Sequence, residues 1–361
     1  MTFILPTQYR EAGVGELRDR IQAAREAAGK KLCILTHHYQ RPEVVTFGDF
    51  VGDSFELARQ AASQEEVEII VFCGVHFMAE AADIVKTGRQ RVFMPHPLAG
   101  CPMADMADME EVNRAWKYLE SHKLADRTIP IPISYMNTTA ALKAFTGAHG
   151  GLICTSANAV KAFQYGFNNK EKIFFLPDEN LGANTGRKLG LRPDEIVLWD
   201  FRLESGGLTR SQIEKARLIL WKGSCHVHTN FRPEHVRQVR EKYPEAKIIV
   251  HPECLPEVVD LADGDGSTRY IVDYCARAPA GATIAIGTEI NLIKRMALAY
   301  PDKTIVPLSG EKNPICFNMY RTNLNNLAYC LENYEAMPPV TVEASARMEA
   351  LSALEKMLKL A

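Results

Sequence analysis

Two patterns of hydrophobic and polar residues alternate along this chain of 361 residues. Segments with an apolar residue at every third or fourth position, typical of amphipathic helices, alternate with short apolar runs rich in β-branched and aromatic residues, typical of buried strands. Strands that alternate with helices predict an α/β fold with parallel sheets. The runs that predict strands are 32–37, 68–73, 91–94, 129–135, 151–154, 173–176, 247–251, 283–286 and 304–307.

The predicted strands fall into three groups of three, and a cysteine follows the third strand of each group: Cys101, Cys225 and Cys316. This repeat predicts three similar small α/β/α domains with parallel sheets around a pseudo-threefold axis, at 1–106, 107–226 and 227–361. The carboxyl ends of the strands, where open α/β sheets bind ligands, would then face inward. A two-domain doubly wound protein with an accidental threefold spacing is the alternative.

Three further segments add to this pattern. The middle group has an extra stretch, 178–220, which contains a strand-like run at 196–200 and a helix-like run at 211–220. Apolar spacing also predicts a helix over 15–28 and a terminal helix over 341–361, both with packing roles. The apolar stripe of the terminal helix consists of Val342, Met348, Leu351, Leu354 and Leu358.

Composition excludes several classes of protein. The net charge of -2 gives no reason to expect binding to nucleic acid or to an anionic membrane surface. No apolar run approaches the roughly 20 residues needed to span a bilayer, and the first residues lack the features of a secretory signal. The nine cysteines are odd in number and irregularly spaced, which argues against a disulfide framework. We therefore expect a cytoplasmic enzyme.

Cys101, Cys225 and Cys316 each follow a β-rich run through a loop that contains glycine or proline. Three thiolates from three loops suit a metal centre that keeps one position open. Structural zinc normally has closely spaced ligand pairs, which are absent here, but a catalytic zinc on Cys225, His226 and His228 is possible. A [4Fe–4S] cluster normally takes four cysteines, so three would leave one iron open to substrate. The cysteines predicted to be buried and inert are Cys33, Cys73, Cys154, Cys254, Cys275 and Cys330.

Polar residues that favour helix starts follow several predicted strands. Each is a good N-cap by itself, but several such helix starts at the strand ends of one protein can also form anion sites. The pattern therefore indicates a small substrate with several anionic groups. These residues are Asp53, Ser54, Asn137, Thr138, Thr139, Thr155, Ser156, Ser267, Thr268 and Thr288, of which Thr288 is better explained as a helix cap alone.

Polar side chains also close the first strand of each group, at 37–40, 135–137 and 251–253. They would face the same centre as the cysteines. Histidine and glutamate can exchange protons near neutral pH when their surroundings tune them.

These segments together resemble the quinolinate synthase family, iron–sulfur enzymes of de novo NAD biosynthesis. The resemblance runs from about Ile34 to Thr322, and the joint order of its motifs is specific. The motifs are 37–40 (HHYQ), 52–54 (GDS) with 56–58 (ELA), 99–106 (AGCPMADM), 155–158 (TSAN), 176–178 (LPD) with 180–182 (NLG), 225–228 (CHVH), 251–254 (HPEC), 266–268 (GST), 287–289 (GTE) and 316–319 (CFNM).

The resemblance implies a transferase that condenses iminoaspartate with dihydroxyacetone phosphate to quinolinate, with loss of phosphate and two waters. It implies that Cys101, Cys225 and Cys316 ligate a [4Fe–4S] cluster whose remaining iron binds substrate as a Lewis acid. An L-aspartate-oxidising enzyme would supply the iminoaspartate.

The resemblance also implies roles at matching positions. His37 and Tyr39 would contact substrate and take part in proton transfers, as would His251 and Glu253, with Glu253 a candidate base or reversible iron ligand. The other substrate-binding positions are Ser54, Tyr135, Asn137, Ser156, Ser267 and Thr268.

The sequence departs from the compact form of the family between 184 and 223, where it is longer. Asn313-Pro-Ile315 precedes Cys316, so no local disulfide switch is expected there. The competing hypotheses are a zinc-dependent aldolase or hydrolase, a non-enzymatic anion-binding protein and an electron-transfer iron–sulfur protein.

Overall fold

A computed structural model describes residues 3–64, 66–121 and 129–360, and it confirms the α/β fold. Three parallel sheets, of four, five and four strands, are flanked by helices. Within these described residues, no helix is both long and apolar enough to cross a membrane.

The strands agree closely with the apolar runs. Their bounds are β1 Leu32–His37, β2 Phe50–Gly52, β3 Ile69–Cys73, β4 Arg91–Phe93, β5 Ile131–Tyr135, β6 Leu152–Cys154, β7 Ile173–Leu176, β8 Ile196–Trp199, β9 Leu218–Trp221, β10 Lys247–Val250, β11 Gly264–Asp265, β12 Thr283–Gly287 and β13 Thr304–Pro307.

The helices connect these strands. Their bounds are α1 Thr7–Arg10, α2 Val14–Ala28, α3 Pro42–Val45, α4 Ser54–Ser63, α5 His76–Val85, α6 Met109–Ser121, α7 Ala140–Ala148, α8 Ala159–Asn169, α9 Glu179–Lys188, α10 Arg210–Lys215, α11 Pro233–Lys242, α12 Pro256–Leu261, α13 Thr268–Arg277, α14 Ile290–Ala299, α15 Phe317–Arg321, α16 Leu324–Asn333 and α17 Ala344–Lys359.

All three sheets share one strand order, which confirms the repeat but corrects its register. The orders are β2-β1-β3-β4, β6-β5-β7-β9-β8 and β11-β10-β12-β13. The repeat therefore has four strands, and its second strand is the short edge strand β2, β6 or β11. The sequence pattern matched β6 with β3 and β12, which was wrong. The counterparts of β6 are β2 and β11, whose residues are mostly half-buried and include glycine and aspartate, so they give no apolar run.

The extra stretch before Cys225 contains α9, β8, α10 and β9. The prediction of a helix over 211–220 was wrong for its second half: α10 ends at Lys215, and β9 occupies 218–221. With β9 as the fourth strand of its sheet, each of the three cysteines follows a fourth strand. The insertion adds β8 at the sheet edge and leaves the repeat intact.

The chain divides into two compact units. The first comprises 1–101, 289–295 and 315–343 and contains the first sheet, whereas the second comprises 102–288, 296–314 and 344–361 and contains the other two sheets. The three domain boundaries and the pseudo-threefold axis stay predictions.

Each sheet is buried on both faces, as parallel sheets with flanking helices require. In the first unit, Ile34 of β1 and Val71 of β3 pack in one core with Leu17 and Ile21 of α2 and Leu327 of α16. The cores of the other two sheets centre on Trp221 and Ile248 respectively.

The predicted terminal helix is present as α17, although position 361 of that prediction lies outside the described residues. Its predicted apolar stripe was wrong in part, since Met348 is 72% exposed. The buried face instead contains Ala350, Ala353, Leu354 and Met357. The backbone of α17 at Glu349 lies directly against Gly147 of α7, which leaves no room for a side chain at position 147.

We predict that Gly147→Ala lowers stability by about 1–3 kcal/mol, because an added Cβ would lie 1.9 Å from the carbonyl oxygen of Glu349. The matched control is Gly15→Ala in α2, where a Cβ meets nothing within 4 Å. That control should keep or slightly raise stability. Denaturant unfolding of both variants would test the packing of α7 on α17, and equal stability of the two would contradict it.

Candidate active site

Glu253 is the centre of a buried polar cluster in the second unit. It follows β10 and is 2% exposed. The Oε2 atom of Glu253 lies 3.5 Å from Nε2 of His228, and its Oε1 atom lies 4.0 Å from Nδ1 of His251. Tyr135 at the end of β5 and Cys225 also form side-chain hydrogen bonds with this carboxyl group. The carboxyl ends of β5 and β10 and the loop after β9 thus meet at one carboxyl group.

The surroundings of Glu253 set its proton affinity. Burial raises its pKa to about 7, against the hydrogen bonds from Tyr135 and Cys225, which lower it. Desolvation disfavours a charged carboxylate, so the group can both accept and donate a proton near neutral pH. Charge on Glu253 in turn adds to burial in raising the pKa of Asp178 well above its ordinary value.

The two histidines of the cluster stack on each other. The rings of His228 and His251 lie 4.3 Å apart at an angle of 17°. Nε2 of His251 also lies 3.2 Å from Oγ of Ser156, in the turn before α8. Burial, with a smaller contribution from the charge of His226, lowers the pKa of His228 to about 3, so this ring stays neutral.

One group of side chains in the second unit can hold a metal ion. Ligand atoms of Cys225, His228 and Glu253 all lie within 4.8 Å of one another. The zinc hypothesis proposed His226 as a third ligand, but His226 is exposed, and Glu253 stands with Cys225 and His228 instead.

The remaining predicted substrate residues of the second unit lie at helix starts or beside them. The Oγ atom of Ser267 caps α13 by accepting a hydrogen bond from the Tyr270 amide at 3.3 Å, and Thr268 is buried in the first turn. The Oδ1 atom of Asn137 is buried and has no hydrogen-bond partner among the described residues. A buried amide oxygen without a partner is costly, so a ligand that donates to it is expected.

The first unit contains the other predicted set. His37 ends β1, its Nδ1 atom accepts a hydrogen bond from the Tyr39 amide at 3.1 Å, and the two rings pack edge to face at 4.8 Å. Ser54 opens α4 next to Asp53, whose carboxylate accepts from the amides of Phe55 and Glu56 in a capping box.

Arg295 gives this part of the first unit a half-buried positive charge. Its Nη2 atom lies 2.7 Å from Nδ1 of His38, and burial lowers the pKa of its guanidinium to about 10. Burial, together with the charge of Arg295, lowers the pKa of His37 to about 3. Sequence reasoning did not find Arg295, because it lies in the middle of an ordinary amphipathic helix.

Two buried carboxyl groups were also missed as site residues, although both occur in segments used for the resemblance. Asp178 accepts a hydrogen bond from the amide of Cys225, and Glu289 accepts one from the amide of Cys316. Burial raises the pKa of Glu289 to about 8, against the amides of Asn291, Cys316 and Leu292. In the first unit, Asn291 further links Glu289 to the carbonyl oxygen of Tyr39.

The cysteines separate into the two predicted classes by burial. Cys101, Cys225 and Cys316 are partly accessible. Burial raises the thiol pKa of the others, to about 12 in Cys33 and Cys73 and to about 11 in Cys275. The buried class consists of Cys33, Cys73, Cys154, Cys254, Cys275 and Cys330.

A sequence model of the family described as Quinolinate synthetase A protein matches residues 19–359. This chain belongs to that family. It is 46% identical over 358 residues to the quinolinate synthase of Corynebacterium glutamicum, an alignment that covers 98% of this chain and 90% of that protein.

Similar relatives occur in other bacteria. The chain is 46% identical to the quinolinate synthase of Lysinibacillus sphaericus, over 99% of this chain and 97% of that protein. It is 43% identical to the quinolinate synthase of Bacillus subtilis, over 99% of this chain and 96% of that protein. The stretch before Cys225 therefore lies within an alignment that covers almost the full length of both proteins.

We predict that His37 remains neutral at pH 5.5, where a histidine with the ordinary pKa of about 6.5 is mostly charged. The reason is burial beside Arg295, which lowers its pKa to about 3. Nitrogen NMR of labelled imidazoles would measure this, with His37→Asn as the assignment control. A His37 signal that titrates between pH 6 and 7 would contradict the buried, neutral state.

Proposed function

We propose that this chain is a quinolinate synthase, a transferase that condenses iminoaspartate with dihydroxyacetone phosphate to quinolinate and releases phosphate and two waters. Family membership over residues 19–359 supports the reaction class. The observation that carries the chemistry is the buried Glu253, with a pKa near 7, between Cys225, His228, His251 and Tyr135.

The donor set fits a metal centre at Cys225. A thiol there lies within hydrogen-bonding reach of a buried carboxyl group, beside a buried neutral imidazole. Thiolate sulfur suits iron–sulfur clusters, and buried carboxyl groups are compensated when they pair or bind a metal. We assign Cys101, Cys225 and Cys316 as the three ligands of a [4Fe–4S] cluster because their segments resemble those of the family.

When bound, a cluster with three cysteine ligands supplies one iron that acts as a Lewis acid toward a substrate oxygen. The protein's own residues do the remaining work. Ser54, Ser156, Ser267 and Thr268 lie at or just before helix starts, where amide groups and the helix dipole favour carboxylate and phosphate. Asn137 offers its buried Oδ1 atom to a donor of the substrate.

Proton transfers fall to the groups tuned by burial. Glu253 can accept a proton from a carbon or nitrogen atom of the substrate and return it near neutral pH, because its pKa is about 7. Nε2 of His251 lies 3.2 Å from Oγ of Ser156 and its Nδ1 lies 4.0 Å from the Glu253 carboxyl group, so this ring can orient substrate between the two. His37 stays neutral, so it can hydrogen-bond to the substrate beside Tyr39 without adding a charge.

The substrates determine what must precede this reaction. Iminoaspartate hydrolyses readily in water, so an enzyme that oxidises L-aspartate has to supply it. A zinc enzyme is the second candidate function, because Cys225, His228 and Glu253 lie within 4.8 Å of one another. Metal analysis separates the two, since one predicts iron with sulfide and the other predicts zinc.

We predict that Glu253→Gln lowers kcat by about 10²–10⁴-fold and leaves the metal content unchanged, as expected for a lost acid–base group. The assay is anaerobic, uses cluster-reconstituted protein with freshly generated iminoaspartate and dihydroxyacetone phosphate, and measures quinolinate. The matched control is Glu257→Gln, an exposed glutamate on α12, which should keep full activity.

No quinolinate from the wild-type protein, with an intact cluster and a working reference enzyme, would contradict the proposed reaction. Unchanged turnover in Glu253→Gln would contradict its role in proton transfer and leave the reaction standing.

A further inference from the structure

One position recurs in all three sheets, immediately before the helix that follows the third strand. The third strands β3, β7 and β12 end at Cys73, Leu176 and Gly287, and the next helices begin at His76, Glu179 and Ile290. The residue just before each helix is therefore Val75, Asp178 or Glu289. Only the second and third sheets have an acidic residue there.

In two of the sheets, the first amide of this helix donates a hydrogen bond to the loop that contains the cysteine. In the first unit, the His76 amide donates to the carbonyl oxygen of Ala99 at 2.8 Å, two residues before Cys101. In the second unit, the Glu179 amide donates to the carbonyl oxygen of Gly223 at 2.8 Å, two residues before Cys225. The same backbone bond thus recurs at two of the three cysteines.

Asp178 adds a second hydrogen bond to the loop of Cys225. Its carboxyl group is fully buried, and its two oxygens face two different amides. Oδ1 accepts from the Leu181 amide at 2.7 Å, within the first turn of α9, and Oδ2 accepts from the Cys225 amide at 3.2 Å. The cysteine loop passes close to the turn before α9: a Cβ added to Gly223 would lie 2.5 Å from the carbonyl oxygen of Pro177.

Glu289 repeats this arrangement at Cys316 within the first unit. It is also fully buried. Oε2 accepts from the Asn291 amide at 2.7 Å, whereas Oε1 accepts from Nδ2 of Asn291 at 3.0 Å and from the Cys316 amide at 3.4 Å. A buried carboxyl group is costly, so its occurrence at equivalent places in two sheets indicates a shared task.

We propose that Asp178 and Glu289 are positioning residues that hold Cys225 and Cys316 in the conformation that ligates the cluster. This inference rests on the proposed function, which assigns the cluster. Partners of metal ligands commonly orient those ligands, and their loss weakens metal binding. At Cys101 the equivalent position is occupied by Val75, and the amide of the next residue, His76, donates to the carbonyl oxygen of Ala99.

Amide substitutions test this proposal without a change of shape. Both carboxyl oxygens of Asp178 accept from N–H groups, so Asp178→Asn must turn its own NH₂ toward one of those donors. The same holds for Glu289→Gln. Each variant should therefore release one cysteine loop and leave the other in place.

The experiment measures hydrogen exchange of the peptides that contain Cys101, Cys225 and Cys316, in apoprotein and reconstituted protein. Asp178→Asn should speed exchange about tenfold at the Cys225 peptide alone, as expected for one lost hydrogen bond. Glu289→Gln should do so at the Cys316 peptide alone. In the reconstituted protein, both variants should lose iron to a chelator about 10–100-fold faster than wild type.

Asp263→Asn is the matched control. Asp263 accepts from the Ile248 amide at 2.8 Å, but it contacts no cysteine loop in the described part of the second unit. This variant should lose iron at the wild-type rate.

Unchanged exchange at the Cys225 and Cys316 peptides would overturn the proposal, as would equal acceleration at all three peptides. A wild-type protein that binds no iron would instead contradict the proposed function. Exchange in the apoprotein would then still decide whether the carboxyl groups hold the loops.

Discussion

The hydrogen bonds between a helix start and a cysteine loop are the constraint on which the rest of this structure depends. Parallel strands bring the start of the helix after the third strand of each repeat, and the loop after its fourth strand, to the same carboxyl end of their sheet. The amide groups at a helix start have no partner within the helix. In the first and second sheets, the first of these amides donates to the cysteine loop. In the second and third sheets, a buried carboxyl group accepts a hydrogen bond from the amide of the cysteine itself.

Burial then determines the protonation of the candidate site residues within each of the two units. Desolvation raises the pKa of the carboxyl groups Glu253, Asp178 and Glu289 and lowers the pKa of the imidazoles His37 and His228. One cause thus moves the acids and the bases in opposite directions. The result is a set of groups that are neutral, or poised between charge states, near neutral pH.

Much of the fold could be predicted from the sequence, because buried parallel strands appear as unbroken apolar runs. The bounds of β1, β7 and β13 agree fully with the predicted runs. β2 and β11 could not be found, since their residues are mostly half-buried and include Gly52, Gly264 and Asp265, so neither strand gives an apolar run. The end of α10 was missed because Ile213 continues the apolar spacing into β9, so one run contains both elements.

The candidate site was only partly predictable, for a related reason. Residues at strand ends such as His37, Tyr135 and His251 follow from topology, because the carboxyl ends of parallel strands carry ligand-binding loops. Asp178 and Glu289 have the sequence pattern of ordinary helix caps. Only the tertiary structure shows that a carboxyl oxygen of each also accepts a hydrogen bond from a cysteine amide. Arg295 is likewise defined by what surrounds it. His228 was predicted as a possible zinc ligand, but only the structure places it beside Glu253.

The central claim is that Cys101, Cys225 and Cys316 together ligate one [4Fe–4S] cluster with one iron open to substrate. Mössbauer spectroscopy of protein reconstituted anaerobically with isotopically enriched iron tests it most directly. The account predicts one cluster in which about a quarter of the iron changes its spectrum when quinolinate is added. The cluster should be lost in Cys101→Ala, Cys225→Ala and Cys316→Ala and kept in Cys275→Ala. Bound zinc in place of iron, or a full cluster in any of the first three variants, would contradict the account.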